Sequence, residues 1–416
     1  MTDVRTPPPH PCRSCGSGRL SPILDLGSTP LANALLTPEM LEQPEETFPL
    51  VLAFCDDCAL AQITESVPPE KLFSEYLYFS SFSDTMLAHA AALAVRLARE
   101  RSLSESSLVV EIASNDGYLL QYYKRVGIRV LGIEPAANIA RVAEAERGIP
   151  TICAFFDRDL GRRLAAEGRK ADVLHANNVL AHVPDLNGFV QGMAAVLKPG
   201  GVIVVEAPYL GDLVARLEFD TIYHEHMFYF SLTALDRLFA RHGLAIIDVE
   251  HIAIHGGSLR VFATHREGAP PRSNAVRVML EKESAQGLAS RESYRDFAAR
   301  VKRLEGSLTK LLADLKAGGK RIAAYGASAK GSTLLNTWGI GGQVLDYVVD
   351  RSTHKQGRLT PGTHLRILPP EELLRSMPDY VLLLTWNFEA EILAQQAEYM
   401  RRGGRFIIPL PDVRIV

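Results

Sequence analysis

Apolar positions fall into two series of short unbroken runs, separated by stretches of helical spacing. The first series is Leu108–Ala113 (LVVEIA), Val130–Glu134 (VLGIE), Ala171–Asn178 (ADVLHANN) and Gly201–Pro208 (GVIVVEAP). Between them the spacing predicts helices starting at Tyr118, at Ala136 and over Gly188–Leu197. Strands buried on both faces read as continuous apolar runs, so this alternation predicts a parallel α/β sheet. A third strand is expected in Thr151–Phe156 (TICAFF), with Cys153 buried in it. Upstream, Met86, Ala90, Leu93, Val95 and Leu97 predict an amphipathic helix over Asp84–Glu100, with Asp84 able to cap it. The second series is Lys320–Gly326, Val344–Asp350, Tyr380–Trp386 and Arg405–Leu410, approached through polar helical text over Asn274–Leu315. Three units follow: residues 1–82, short strands and turns; 83–272, a Rossmann-like α/β domain; and 273–416, a second Rossmann-like α/β domain.

The bulk numbers narrow the class. Of 416 residues 47% are hydrophobic and 22% charged, a globular composition, and the net charge of −3 argues against a bulk nucleic-acid binder. No apolar run approaches the roughly 20 residues of a membrane helix. The opening MTDVRTPPPHP has no apolar core, so a cytoplasmic protein without a membrane partner is expected.

Four of the five cysteines come as hooks, Cys12-x2-Cys15 and Cys55-x2-Cys58, with 39 residues between the pairs. Two such hooks can give four thiolates to a tetrahedral zinc ion, and a closed four-thiolate set makes that zinc structural. Gly16 and Gly18 suit a tight knuckle after the first hook.

The text LVVEIASNDGYLL (108–120) reads strand, turn, helix. Its turn of Ala113, Ser114, Asn115, Asp116 and Gly117 lets the backbone approach a ligand, yet lacks the second glycine that a dinucleotide pyrophosphate needs. Glu111 near the strand end can meet a cationic ligand, and S-adenosylmethionine carries a sulfonium and an ammonium. Glu134, 17 residues after Gly117 and followed by Pro135, can accept both ribose hydroxyls. Asp157 is a candidate for the adenine amine, and Asn177 and Asn178 end the fourth strand, where ligands gather in open α/β sheets. LKPGG (197–201) reads as a helix stop and a tight turn.

Tyr223, His224, Glu225, His226 and Tyr229 crowd into FDTIYHEHMFYFS (219–231). A histidine beside a carboxylate can serve as a general base, and a tyrosine can hydrogen-bond a developing oxyanion. If the segment is a strand, His224 and His226 share a face; a metal role is the alternative there. Tyr76 and Tyr78 suit a lid, or an aromatic contact between units. His182 is a substrate candidate. In AAYGASAKGST (323–333), Lys330 precedes Gly331, the wrong order for a P-loop; Ser328, Lys330 and the helix N-terminus suit an anion such as a diphosphate. Asp350 keeps an NAD-type reading of that turn open.

Taken in order, the four-cysteine module, EIASNDG, LKPGG, YHEH, HGGSLRV (255–261) and YGASAKG resemble the bacterial sugar C-methyltransferases that act on nucleotide-linked 4-keto-deoxysugars in antibiotic biosynthesis. The resemblance spans nearly the whole chain. It implies a central class I methyltransferase-type domain holding S-adenosylmethionine, with a sugar nucleotide, dTDP-linked, between it and the C-terminal domain. It further implies that Tyr223, Glu225 and His226 surround the reacting carbon, C3, with His226 the base and a tyrosine of 76–78 nearby. A monomer or weak oligomer is expected. Ala113 departs from the glycine common in methyltransferases. An O- or N-methyltransferase, and a zinc-ribbon nucleic-acid protein, are the rival expectations.

Overall fold

In the computed structural model, which describes residues 11–68 and 80–416, three sheets carry the chain. The first is antiparallel. Strands β1 (Leu20–Thr29), β2 (Phe48–Cys55) and β3 (Ala61–Ile63) pair in that order. Its fourth strand, β9 (Phe228–Tyr229), comes from far along the chain and sets Tyr229 opposite Ala61 and Phe228 opposite Gln62. The YHEH segment therefore ends inside the sheet of the cysteine module.

Helix α1 (Asp84–Glu100) leads into the second sheet. Ser83, not Asp84, caps it, accepting the Met86 amide, and Val95 is exposed while the other apolar positions face inward. The sheet runs β10-β11-β8-β7-β4-β5-β6. Its parallel strands are β4 (Leu108–Ile112), β5 (Arg129–Ile133), β6 (Thr151–Ile152), β7 (Ala171–Asn177) and β8 (Leu197–Pro208). Strand β11 (Ser258–His265) pairs antiparallel with both β8 and β10 (Leu244–Ile252). The intervening helices are α2 (Leu120–Arg125), α3 (Ala137–Arg147), α4 (Arg158–Ala166), α5 (Leu186–Val196), α6 (Leu210–Arg216) and α7 (Leu232–Arg241). The winding direction reverses between β4 and β7, which opens a crevice beyond the carboxyl ends of those two strands.

Two expectations here need correction. TICAFF is strand only at Thr151–Ile152, and Cys153 is exposed. Among the described residues β6 is the sheet edge and pairs only with β5; beyond it Phe155 is exposed while Phe156 turns in against Phe189. LKPGG is not a separate turn; α5 ends at Val196 and β8 begins at Leu197, with Gly200 left-handed at φ 75°.

Helices α8 (Asn274–Ala285) and α9 (Arg291–Ala317) lead to the third sheet, and α9 packs across β1. That sheet has the order β14-β13-β12-β15-β16-β17 and winds both ways from β12 (Ile322–Tyr325) and β15 (Tyr380–Leu383). Its other strands are β13 (Val348–Val349), β14 (Ile367–Leu368), β16 (Arg405–Ile408) and an antiparallel edge, β17 (Arg414–Ile415). Helix α10 (Ala329–Thr337) follows β12. The cysteine module also bridges to this third unit. Leu36 and Leu359 exchange backbone hydrogen bonds, and Glu45 accepts from the Gly362 amide at 2.8 Å and from His364 Nε2 at 3.0 Å. One continuous apolar core runs through all three units. Among the described residues no helix is long and apolar enough to cross a membrane.

Candidate functional site

The two cysteine hooks converge. The Sγ atoms of Cys12, Cys15, Cys55 and Cys58 lie within 4.8 Å of one another, with Cys12–Cys58 and Cys15–Cys55 each at 3.5 Å. A tetrahedron of thiolates about 2.3 Å from zinc has S···S edges of about 3.8 Å, so the cluster fits that ion closely. Each hook turns back on itself in the same way. Gly16 N–H donates to Cys12 O and Ala59 N–H donates to Cys55 O, with Gly16 and Ala59 both left-handed. Gln62 Nε2 donates to Cys12 Sγ at 3.1 Å, outside the ligand set. Four thiolates complete a tetrahedron, so this zinc holds the module together and has no position for substrate.

The crevice of the second sheet is lined by the EIASNDG turn. Ala113, Asn115 and Gly117 are all left-handed there, at φ 55°, 49° and 78°. Gly117 is required twice over, because a Cβ would also lie 2.8 Å from Ile149 Cγ1. The Glu134 carboxylate clamps the turn, accepting Asn115 N–H at 3.0 Å and Ala136 N–H at 2.9 Å. Pro135, half-buried between them, accepts from the Cys153 thiol through its carbonyl. The Asn115 side chain accepts the Ser80 amide at 2.9 Å, so the chain re-enters directly against this turn after residues 69–79. Tyr76 and Tyr78 lie outside the described residues.

Three buried acids gather here: Glu111, Asp116 and Glu134. Burial raises Glu111 well above the usual carboxyl range, and its neighbours Asp116, Glu134 and Glu206 add to the shift. Burial raises Glu134 too, opposed by its two amide donors. Arg147 approaches Asp116 at 3.4 Å. Glu111 Oε2, Ser114 Oγ, both Asp116 oxygens and Asn177 Oδ1 are buried without a hydrogen-bond partner among the described residues. Such a set wants a ligand with positive charge and hydrogen-bond donors. Asn178, left-handed at φ 54°, donates its amide to Glu206 O at 2.7 Å and closes the β7 end of the crevice. Asp157 is exposed and caps α4, its Oδ1 accepting the Leu160 amide at 2.7 Å. Exposed Phe155, two residues earlier, is the aromatic at this edge that the strand reading concealed.

The YHEH residues do not form a strand. They turn between the short 3-10 helix Phe219–Thr221 and β9, so the histidines face different units. His224 Nε2 bonds Pro49 O in the cysteine module at 3.1 Å, whereas His226 faces Tyr223. His226 Nδ1 lies 3.1 Å from the Thr221 carbonyl, which can only accept, so Nδ1 carries the proton. Nε2 of the neutral ring is then an acceptor, and the Tyr223 hydroxyl donates to it at 2.9 Å. His182 stands against the same ring, with centroids 4.9 Å apart, and its Nδ1 donates to Glu225 O at 2.7 Å. Burial depresses the His182 pKa, keeping that ring neutral. Met227 N–H donates to Ala181 O at 2.8 Å, so the segment is stitched to the loop just beyond the β7 end of the crevice.

Glu225 faces a partner that sequence reasoning missed. Asn33 Nδ2, from the cysteine module, donates to Glu225 Oε1 at 2.7 Å. Burial pushes the Glu225 carboxyl up to about 7, with Asn33 opposing. Also missed is a cluster on β8 and β11: His89 and Arg260 both bond Glu206, and Arg260 bonds Glu250 at 2.7 Å. Burial acts to raise Glu206, but His89 and Arg260 hold it below the usual range. These residues come from four elements with no common motif.

The glycine turn of the third sheet joins β12 to α10, with Gly326 left-handed at φ 101°. Ser328 Oγ is taken up as the α10 cap, accepting the Gly331 amide at 3.1 Å. Lys330 Nζ lies 4.7 Å over the Trp386 ring, and its charge faces Glu218 and Asp220 of the second unit. Lys330 Nζ is buried there without a hydrogen-bond partner among the described residues. Asp350 accepts the Ala327 amide at 2.8 Å.

Three family models match successive stretches of the chain. Residues 12–73 match the profile of a zinc binding domain, 86–249 that of a methyltransferase domain, and 253–411 that of a C-methyltransferase C-terminal domain. The C-methyltransferase NovU of Streptomyces niveus is 38% identical over 97% of this chain and 96% of its own length. A ubiquinone biosynthesis O-methyltransferase of Methylobacterium is 33% identical over only 23% of this chain and 38% of that protein. A solved Pyrococcus horikoshii structure covers 47% of this chain and 98% of its own, at 16% identity and a TM-score of 0.37.

Proposed function

The chain belongs to the C-methyltransferase family, and from that premise we propose that it methylates a nucleotide-linked 4-keto-deoxysugar, dTDP-linked, at C3 through an enolate. As an S-adenosylmethionine-dependent C-methyltransferase it must turn a carbon into a nucleophile. A C–H bond beside a ketone becomes acidic enough only if the enolate oxygen is stabilised. The observation that carries the reading is the His226 ring, whose Nδ1–H is fixed on the Thr221 carbonyl so that Nε2 is the basic atom. Tyr223 O–H rests on that Nε2 in the ground state. When Nε2 takes the C3 proton, the hydroxyl is released to hydrogen-bond the C4 oxygen, where negative charge develops. Glu225, held by Asn33, orients the segment, and neutral His182 packs against the base at the crevice mouth.

When bound, S-adenosylmethionine supplies the electrophilic methyl group. Glu111, Ser114, Asp116, Glu134 and Asn177 would hold it, with Ala113, Asn115, Gly117, Pro135 and Asn178 shaping the backbone around it. The sugar nucleotide would enter between the second and third units, and the reaction would take place in the cytoplasm. Because burial raises Glu111, a sulfonium and an ammonium in the crevice should pull that pKa back down. Cofactor binding is therefore expected to release protons, and affinity should rise with pH through the folded pKa of Glu111. Titration calorimetry in buffers of different ionisation enthalpy reads this directly. Equal heats in all buffers would contradict it.

The reaction is tested by solvent exchange. With the spent thioether cofactor bound in D2O, a dTDP-4-keto-deoxysugar should lose its C3 proton signal. Turnover with that proton retained would move the reading to a heteroatom methyltransferase.

A further inference from the structure

The proposed base sits on a turn that belongs to one unit but is gripped by another. His226 takes its tautomer from the Thr221 carbonyl, the last residue of the 3-10 helix Phe219–Thr221. The chain has only two tryptophans, and both close on this turn from the C-terminal unit. Trp338, at the end of α10, stacks on Phe219 with ring centroids 4.5 Å apart. Trp386, beyond β15, donates its Nε1–H to Asp220 Oδ2 at 2.7 Å. Asp220 is wholly buried, and its other oxygen has no hydrogen-bond partner among the described residues. The buried Lys330 ammonium lies over the Trp386 ring and supplies the opposing charge, with Glu218 as the second carboxyl facing it. A buried carboxylate without these partners would be costly, so they fix where Asp220, and with it Thr221, can stand.

We propose that Asp220 and Trp386 are positioning residues for His226: their hydrogen bond holds the turn whose Thr221 carbonyl orients the ring, so that docking of the C-terminal unit sets the geometry of the base. This deepens the assignment above and rests on His226 being the base. Neither residue touches the reacting atoms. A base displaced by about 1 Å can lose roughly 10²-fold in rate, which is the scale of effect that loosening the turn should give.

The variants are Trp386→Phe, Asp220→Ala and Asp220→Asn, made in the full-length zinc-loaded protein. Trp386→Phe and Asp220→Ala should each lower kcat by roughly 10- to 100-fold. The KM for the sugar nucleotide and the affinity for S-adenosylmethionine should stay within about threefold, the split expected of misplaced chemistry. The limb of the kcat–pH profile that reports the base should also move. Asp220→Asn keeps an oxygen acceptor for the indole and should recover kcat to within about fivefold of the parent. In Trp386→Phe the remaining tryptophan is Trp338, so unchanged emission shows that the stack on Phe219 has survived. A kcat and pH profile like the parent's in Trp386→Phe, or a rise in KM with kcat unchanged, would overturn the proposal. So would an equal fall in kcat, cofactor affinity and thermal midpoint across all three variants, since that marks a merely structural joint. His226→Ala separates the two ideas. If that variant exchanges the C3 proton normally, the base assignment fails. If it is inert while Trp386→Phe behaves like the parent, the base stands and the positioning role is lost.

Discussion

His226→Ala is expected to lower methyl transfer by roughly 10²- to 10⁴-fold while leaving S-adenosylmethionine affinity within about twofold, the range set by losing a positioned general base. Among the described residues the side chain hydrogen-bonds Tyr223 and Thr221, both in its own segment. Removing it therefore subtracts a proton acceptor and leaves the crevice standing. Exchange of the C3 proton in D2O should fall with turnover, because both need the same proton to leave. Tyr223→Phe should be milder, since it keeps the base and removes only a hydrogen bond that strengthens as the enolate forms. Loss of turnover with normal exchange in His226→Ala would remove the residue from the proton step and leave it a role after enolate formation.

Removing zinc is the second large effect, and its consequences should be uneven. Structural zinc sites contribute apparent binding free energies of about 10–16 kcal/mol, so chelation, or Cys55→Ser, should unfold the cysteine module. The damage should travel to the chemistry through named contacts. Strand β3 pairs with β9 at the end of the base segment, His224 bonds Pro49, and Asn33 holds Glu225. Each of these partners comes from the module whose hooks the metal ties together. The cofactor crevice is built on the second sheet, one face of which packs on a core that holds no residue of the module. We expect turnover to be abolished and a low-temperature melting step to appear, while S-adenosylmethionine still binds within about tenfold of its normal affinity and zinc restores activity. Stripped protein, verified by metal analysis, that melts and turns over normally would show that the cluster is not a stabilising site.

Much of the fold was legible because strands buried on both faces leave an unmistakable apolar text. Leu108–Ile112 and the core of Gly201–Pro208 needed nothing else. Legibility failed where burial was one-sided. Thr151–Phe156 lies at a sheet edge, so its apolar residues outrun its pairing, and no periodicity announced that the Asp157 carboxylate caps the next helix. It failed again where a contact joins residues far apart in sequence. Asn33 and Glu225 are 192 positions apart and Trp386 and Asp220 are 166 apart, and no local periodicity announces such pairs. Lys330 shows the same limit: a lysine at a helix start suggests an anion, and no local pattern places it over Trp386 and facing two acids of another unit. The cysteine hooks were the opposite case, because the spacing within each pair constrains the metal geometry without reference to the rest of the chain.

The most direct measurement is the position of the new methyl group. The zinc-loaded protein should be incubated with a dTDP-4-keto-deoxysugar and S-adenosylmethionine carrying an isotopically labelled methyl, and the product examined by NMR. The expected spectrum shows the label bonded to a ring carbon that no longer carries its proton, next to the ketone. A label on oxygen or nitrogen, with the ring proton intact, would contradict the enolate chemistry assigned to Tyr223 and His226.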